Sequence, residues 1–422
     1  MVDQYNVMIL GSGGREHALA WKISQSPQCG HLYVAPGNAG TSDVAVNLDL
    51  DISDFGKIRE SIDRCQIEYL IVGPEAPLVA GIYDYFLDHP VKVIGPSKAA
   101  SVMEGSKAFA NAFMEQYKIP TASSKNFTID NIQEAYDFID QQKSKIVLKA
   151  DGLAAGKGVL ILDDKAEAKV EIKKMLDGKF GDASATVVIE EFLDGLEFSV
   201  FVATDGEAYT LLPIAKDYKR IGEGDTGLNT GGMGAISPVP FVDDIMMEKV
   251  VTRIIEPTIK GLKNRQLDYK GFVFIGLINV GGEPYVIEYN CRLGDPETEV
   301  VLPRIESDLM DVIIAIHNGT LSETNIVTNP KTAATIMLVS GGYPEAYKKG
   351  KEIIIDQSES DSIFFHAGTI KKEYSTLTNG GRVIAVTSIR DNHTEAVQSS
   401  ITAIENIHFE DMHYRKDIGF DL

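Results

Sequence analysis

No stretch of about 18 consecutive apolar residues occurs in the 422-residue sequence, which removes the simplest kind of membrane span. The short apolar run NVMILG near the start has neither the length nor the basic flank of a secretory leader. Cysteine is scarce too. Cys29, Cys65 and Cys291 stand far apart and form no CxxC pair, so neither a disulfide framework nor a zinc cluster is expected. Positive charge is the third deficit: 40 basic residues face 61 acidic ones, a formal net charge of -21, and no basic run suits a phosphate backbone. Nucleic acid and membrane are therefore not expected partners, the cytosol is the expected compartment, and any phosphate must be held locally.

What is present is an ordinary globular composition, 44% hydrophobic and 24% charged, in a chain long enough for about two to four domains. YNVMILGSGGREHALAWKIS reads as a strand, a glycine-rich turn and a helix with Ala18, Leu19 and Ile23 at helical spacing. LYVAPG, EYLIVGPE and VKVIGPS read as short buried strands ending in Gly or Pro, the pattern of a parallel α/β sheet. From Lys107 the pattern changes to an amphipathic helix and then KIVLKADGLAAGKGVLIL, two strands around a glycine-rich loop. TVVIEEF and LEFSVFVATDGEAYTLLPIAKDYK follow as antiparallel strands. GFVFIGLINVGGEPYVIEYN is a hairpin around Gly281 and Gly282, and an α+β segment closes the chain after about residue 330. The fold class is α/β and α+β multidomain.

Several motifs carry chemistry. Gly11, Gly13 and Gly14 resemble a dinucleotide fingerprint, but Glu16 stands where a third glycine belongs and the second strand ends at Ala35-Pro36 without the acid that would hold a ribose. Nicotinamide binding is disfavoured. A helix N-terminus beside Arg15 and His17 leaves two readings open, a phosphate-bearing ligand or a merely tight turn. The stretch Gly152-Leu153-Ala154-Ala155-Gly156-Lys157-Gly158 has one residue too few between its glycines for a P-loop, and lacks the Ser or Thr that would meet magnesium. Flanked by strands, it reads as a flexible hairpin tip over phosphates. Lys107 and Lys149 are two ammonium groups that can converge on such phosphates, and Glu190-Glu191-Phe192-Leu193 offers a strand edge and carboxylates to a base and ribose. The strongest local signal is EYNCRLGDPE. Glu288 and Asn290 lie two apart on a strand, so a carboxylate and an amide oxygen share one face, a donor pair suited to a hard cation, and Arg292 continues that face. Asn229-Thr230-Gly231-Gly232 is a polar loop able to bring backbone N–H groups to an anion, or simply a flexible one.

Taken together, GSGGREHAL, GPEAPLVAG, KADGLAAGKGV, EEFLDGLEFSV, NTGGMGAISP and EYNCRLGDPETE resemble, in order and over nearly the whole chain, the ATP-grasp ligases and among them the phosphoribosylamine–glycine ligase family. Leu196, Leu228 and Ile236 depart from the family pattern but remove no proposed ligand. The hairpin strand GFVFIGLINV lacks the acidic metal ligand that many ATP-grasp enzymes carry.

The resemblance implies a carbon–nitrogen ligase using ATP and Mg²⁺ (or Mn²⁺) to join glycine to 5-phosphoribosylamine through glycyl phosphate. It implies an N-terminal Rossmann-like domain over 1–102, an ATP-grasp domain over 103–328 with a mobile lid over about 121–192, and a small C-terminal α+β domain over 329–422. ATP is expected at Lys107, Lys149, Gly152, Ala155, Gly156, Lys157, Gly158, Glu190, Glu191, Leu193 and Glu197, and the metal at Glu288 and Asn290. The substrates are expected at Gly13, Arg15, Glu75, Asp217, Asn229, Thr230, Gly231, Arg292, Asp295, Pro296 and Glu297; Lys107, Lys149 and Arg292 are the catalytic set. The start at Met1 and end at Leu422 suggest a stand-alone bacterial form and a monomer. Two alternatives remain open: another ATP-grasp ligase with a different acid or amine, and, on the first 100 residues alone, a Rossmann-type dehydrogenase or nucleotide-sensing protein.

Overall fold

The computed structural model describes residues 3–154, 158–356 and 360–422. The chain opens with β1 (Tyr5–Gly11), α1 (Gly14–Ile23), β2 (Cys29–Pro36), β3 (Val46–Asn47), β4 (Tyr69–Val72) and β5 (Lys92–Pro96). These strands pair in parallel, and every residue of β4 is buried, as helices on both faces demand. Helix α1 starts in a tight turn. The Glu16 carboxylate accepts the Gly13 N–H at 2.6 Å, and a side chain on Gly11 or Gly73 would collide with it. The residue that breaks the dinucleotide fingerprint therefore caps its own helix and fills the crevice beside it.

A compact antiparallel unit follows, ordered β6 (Ser124–Thr128), β9 (Thr186–Glu191), β7 (Ile146–Ala150) and β8 (Val159–Leu162). Phe127, Ile139, Leu148, Ile172 and Ile189 give it a core of its own. Beyond it come β10 (Leu196–Thr204), β11 (Tyr209–Leu211), β12 (Lys216–Asp217), β13 (Arg220–Gly222), β14 (Thr226–Asn229), β15 (Gly234–Ser237), β16 (Tyr269–Val280) and β17 (Glu283–Asn290).

The sheets do not respect the sequence divisions at 102 and 328. Antiparallel pairing of Tyr269 with Pro96 and Lys270 with Gly95 joins β16 to β5, so one nine-stranded sheet carries both the parallel N-terminal strands and β10, β11, β16 and β17. The C-terminal segment holds β18 (Thr332–Val339), β19 (Glu352–Ile355), β20 (Ile363–His366), β21 (Thr369–Lys372), β22 (Ser375–Thr378), β23 (Arg382–Arg390) and β24 (Ile407–His408). Its central sheet runs β12-β15-β18-β23-β20, so two of its five strands come from residues 216–237. All eight residues of β18 are buried, and one hydrophobic core links Val7, Phe274, Ile313, Ile336 and Ile418. Among the described residues no helix is long and apolar enough to cross a membrane.

Candidate functional site

Separate stretches of chain converge on one cavity of about 160 Å³. Its lining includes Lys107, which opens the helix Lys107–Tyr117; Glu190 at the end of β9; Glu288 and Asn290 at the end of β17; and Arg292 just past that strand. Glu75, which opens the short helix Glu75–Ala80 after β4, completes one wall. Lys107 occupies the first turn of its helix, where a cation opposes the helix dipole, so its position needs another explanation. Burial holds its pKa below the ordinary lysine value, with Glu288 opposing that shift and Lys149 adding to it. Its Nζ lies 3.4 Å from the Gly152 carbonyl, at the entry to the glycine-rich loop.

Lys149 is fixed by the strand geometry. Between Gly276 and Leu277 the β16–β17 register slips by one residue, and the carbonyl of Ile287 beside that slip accepts Lys149 Nζ at 3.1 Å. Glu190 Oε2 lies 2.6 Å from the same ammonium, both side chains being almost wholly buried, while Asn111 donates to Glu190 Oε1 at 3.1 Å. Glu288 packs over Gly276, where a Cβ would come within 3.2 Å of Glu288 Cγ. Glu288 also faces a second, narrow cleft lined by Glu197, Asp217, Lys219 and Gly276.

Arg292 anchors the other end of the cavity. Its Nη2 lies 2.8 Å from Glu104 Oε1 and its Nε 3.6 Å from Glu75 Oε2, whereas Nε itself is buried without a hydrogen bond. Burial opposes ionisation of Glu75, but Arg292, a backbone hydrogen bond and Arg15 together outweigh it and hold that carboxyl below its usual range. Glu297 is buried and pushed up to about 8, first by burial and then by Asp217. Asp217 is itself raised by burial, with Lys219 opposing. Lys219 Nζ lies 2.8 Å from Glu197 and 3.8 Å from Asp217. The Lys219 and Glu197 side chains are about 40% and 45% exposed, so water screens their pairing.

Several sequence expectations shift here. Glu191 points away from the cavity and accepts Ser123 Oγ at 2.9 Å; only Glu190 of the pair faces inward, because adjacent strand residues take opposite faces. Leu193 is half-buried beyond β9 and lines neither cleft. Ala155, Gly156 and Lys157 lie outside the described residues, while Gly152 and Gly158 flank the loop. His17 is a buried ring rather than an anion ligand: it accepts the His366 N–H at 2.8 Å and is pushed down to about 3 by burial and by His366. Arg15 is held inside by Glu16 at 2.6 Å and the Leu293 carbonyl at 3.1 Å, with its own N–H 3.5 Å from Asp295 Oδ2 beside Gly13. Thr230 ties the Asn229–Gly232 loop to the Lys219 carbonyl, and Pro296 packs against Gly232.

Sequence reasoning missed Glu104, Asn111, Lys219 and Arg382. Asn111 lies one helical turn after Lys107 and Lys219 two residues after Asp217, so periodicity held a signal for both. It also missed Glu299, fully buried with neither carboxyl oxygen hydrogen-bonded among the described residues. Burial, then Asp295, raises the Glu299 pKa well above the ordinary range. The folded protein keeps this proton while the unfolded chain releases it above about pH 4.3, so this group's contribution to stability falls as pH rises from there toward the folded value. Glu299→Gln is therefore expected to gain in stability on the parent protein as pH rises. Urea unfolding of both proteins at pH 5 and pH 8 checks this; a stability difference that does not grow with pH contradicts it.

The two clefts meeting at Glu288, the glycine-rich hairpin between β7 and β8, and the continuous sheet beneath them define the ATP-grasp class. Three family models match in succession: the phosphoribosylglycinamide synthetase N domain over residues 5–104, its ATP-grasp (A) domain over 105–298 and its C domain over 333–421. The chain belongs to the phosphoribosylglycinamide synthetase family. It is 44% identical to the phosphoribosylamine–glycine ligase of Neisseria meningitidis serogroup B, over 98% of each chain. It is 43% identical to a bifunctional purine biosynthetic protein of Pichia angusta, where the match covers 99% of this chain and 54% of that one. The crystal structure of phosphoribosylamine–glycine ligase from Thermotoga maritima superposes with a TM-score of 0.86 at 34% identity, covering 98% of this chain and 99% of that one.

Proposed function

We propose the following course for the reaction that family membership gives this chain, the ATP-dependent ligation of glycine to 5-phosphoribosylamine in purine biosynthesis. A glycine carboxylate oxygen attacks the γ-phosphorus of ATP, the bond to the bridging oxygen breaks, and ADP leaves from glycyl phosphate. The amine nitrogen of 5-phosphoribosylamine then attacks the acyl carbon, phosphate departs with the carbonyl–oxygen bond electrons, and the nitrogen loses a proton to give the amide. No protein nucleophile takes part, so alignment and charge neutralisation carry the catalysis.

Lys107 and Lys149 neutralise the transferring phosphoryl group. Glu288 and Asn290 would hold Mg²⁺ or Mn²⁺, which when bound supplies further positive charge to the phosphates. The donor set fits a hard cation. It is one carboxylate and one amide oxygen, and among the described residues no cluster of three His, Cys, Asp or Glu is placed to hold a metal without the nucleotide. Glu190 and Glu197, with the backbone at Glu191 and Leu193, receive adenosine. The 121–192 unit, with its separate core, closes the Gly152–Gly158 loop over the triphosphate and keeps water from the acyl phosphate.

Arg292 meets the glycine carboxylate through its Nε, which makes no hydrogen bond among the described residues. Asp217, Asn229, Thr230, Gly231, Asp295, Pro296 and Glu297 orient glycine and the amine, while Gly13, Arg15 and Glu75 face the sugar phosphate. A monomer in the cytosol completes the reading. The observation that carries it is the convergence of Lys107, Glu288, Asn290 and Arg292 on one cavity. Its test is ADP release with ATP, glycine and freshly made 5-phosphoribosylamine, each omitted in turn, with the product weighed by mass spectrometry. Turnover requiring all three and giving glycinamide ribonucleotide is expected; ADP release only with another acid or amine contradicts it.

A further inference from the structure

Gly231 is held from both sides by the C-terminal segment. Its N–H donates to Tyr343 Oη at 2.9 Å, and its carbonyl accepts Arg382 Nη1 at 2.5 Å. The same Nη1 reaches the Asp295 carbonyl at 2.6 Å, and Nη2 lies 2.9 Å from Asp295 Oδ1. One planar guanidinium thus bridges a loop on residues 229–232 and a turn at 295–296, two segments no local element joins. The fit is close. A Cβ on Gly231 would come within 3.1 Å of the Arg382 Cζ, and Gly232, at φ +117°, presses against Pro296. Arg382 opens β23 of the central C-terminal sheet, and Tyr343 lies in the turn that follows β18 of the same sheet. Neither side chain lines the cavity that holds Lys107 and Glu288.

We propose that Arg382 and Tyr343 are positioning residues: from the C-terminal segment they set the distance between the Gly231 loop and the Asp295 turn, and so the shape of the acid and amine subsites but not that of the ATP site. This rests on the assignment of those two segments to glycine and 5-phosphoribosylamine. Removing the guanidinium leaves the Asp295 and Gly231 oxygens without their shared donor, and the loop and turn separate while Lys107, Lys149, Glu190 and Glu288 stay where they are.

The experiment is steady-state kinetics of Arg382→Ala and Tyr343→Phe on the full chain, varying ATP, glycine and 5-phosphoribosylamine separately, with thermal melts alongside. Arg382→Ala is expected to raise KM for glycine or for the amine at least about tenfold while KM for ATP changes less than twofold. Added guanidinium chloride at millimolar concentration should recover part of that loss in Arg382→Ala only. Tyr343→Phe, which removes one acceptor, should raise the same KM by about threefold. Unchanged KM values for glycine and the amine, or equal rises in all three, overturn the proposal. Should Arg382→Ala fail to fold, Tyr343→Phe decides between the same two outcomes. Absence of any turnover by the parent protein with glycine and 5-phosphoribosylamine refutes the substrate reading instead, and is seen before any variant is made.

Discussion

Glu288→Ala is expected to lower turnover at saturating ATP by at least about 10³-fold while leaving the fold intact, since the residue supplies the only carboxylate of the proposed metal pair. Its side chain borders both clefts and packs over a glycine rather than into an apolar core, so truncation removes charge without opening a large void. Asn290 alone leaves the cation one amide oxygen plus whatever ATP provides. The defect should thus deepen as free magnesium is lowered, and the far-ultraviolet dichroism and melting temperature should match those of the parent. Near-normal turnover at limiting magnesium would remove the metal assignment.

The second large effect concerns Lys149. Its ammonium and the Glu190 carboxylate form a buried pair at 2.6 Å, with the Ile287 carbonyl and Asn111 as further partners. Lys149→Met leaves Glu190 charged and buried without its counter-ion, a change that costs about 3–5 kcal/mol. Activity should fall by roughly 10²- to 10³-fold, because the ammonium proposed to neutralise the phosphoryl group is gone. The double variant Lys149→Met with Glu190→Leu separates these effects: stability in urea should largely return, as apolar replacement of a whole buried pair is near neutral, whereas activity should not. Recovery of activity along with stability would show that Lys149 serves the fold alone.

Parts of this site were legible in the sequence for a plain reason. Glu288 and Asn290 sit two apart on a strand, and period two is visible without a structure. The strand–loop–strand around Gly152 and Gly158 was readable because short β-branched runs flanked it. Glu190 and Glu191 were not separable, since strand phase is set by pairing with β6 and β7 and not by two identical neighbours. Glu16 was visible as a missing glycine, yet its role depends on how the turn folds back onto it. Arg382 left no trace at all: its partners Gly231 and Asp295 lie 151 and 87 residues away, a separation at which no periodicity survives. The joining of β5 to β16 was equally hidden, because two residue pairs make the seam.

The shared central sheet of the C-terminal segment has a consequence for the birth of the protein. On the ribosome, β12 and β15 emerge long before β18, so the side of β15 that will bond to β18 waits as an open edge while the rest of the chain is synthesised. The parallel strands, the unit with its own core and β16 can all form earlier. The 229–232 loop, which Tyr343 and Arg382 hold, is therefore among the last parts of the nascent chain to be set, and a chain arrested before β18 carries that loop without these two partners.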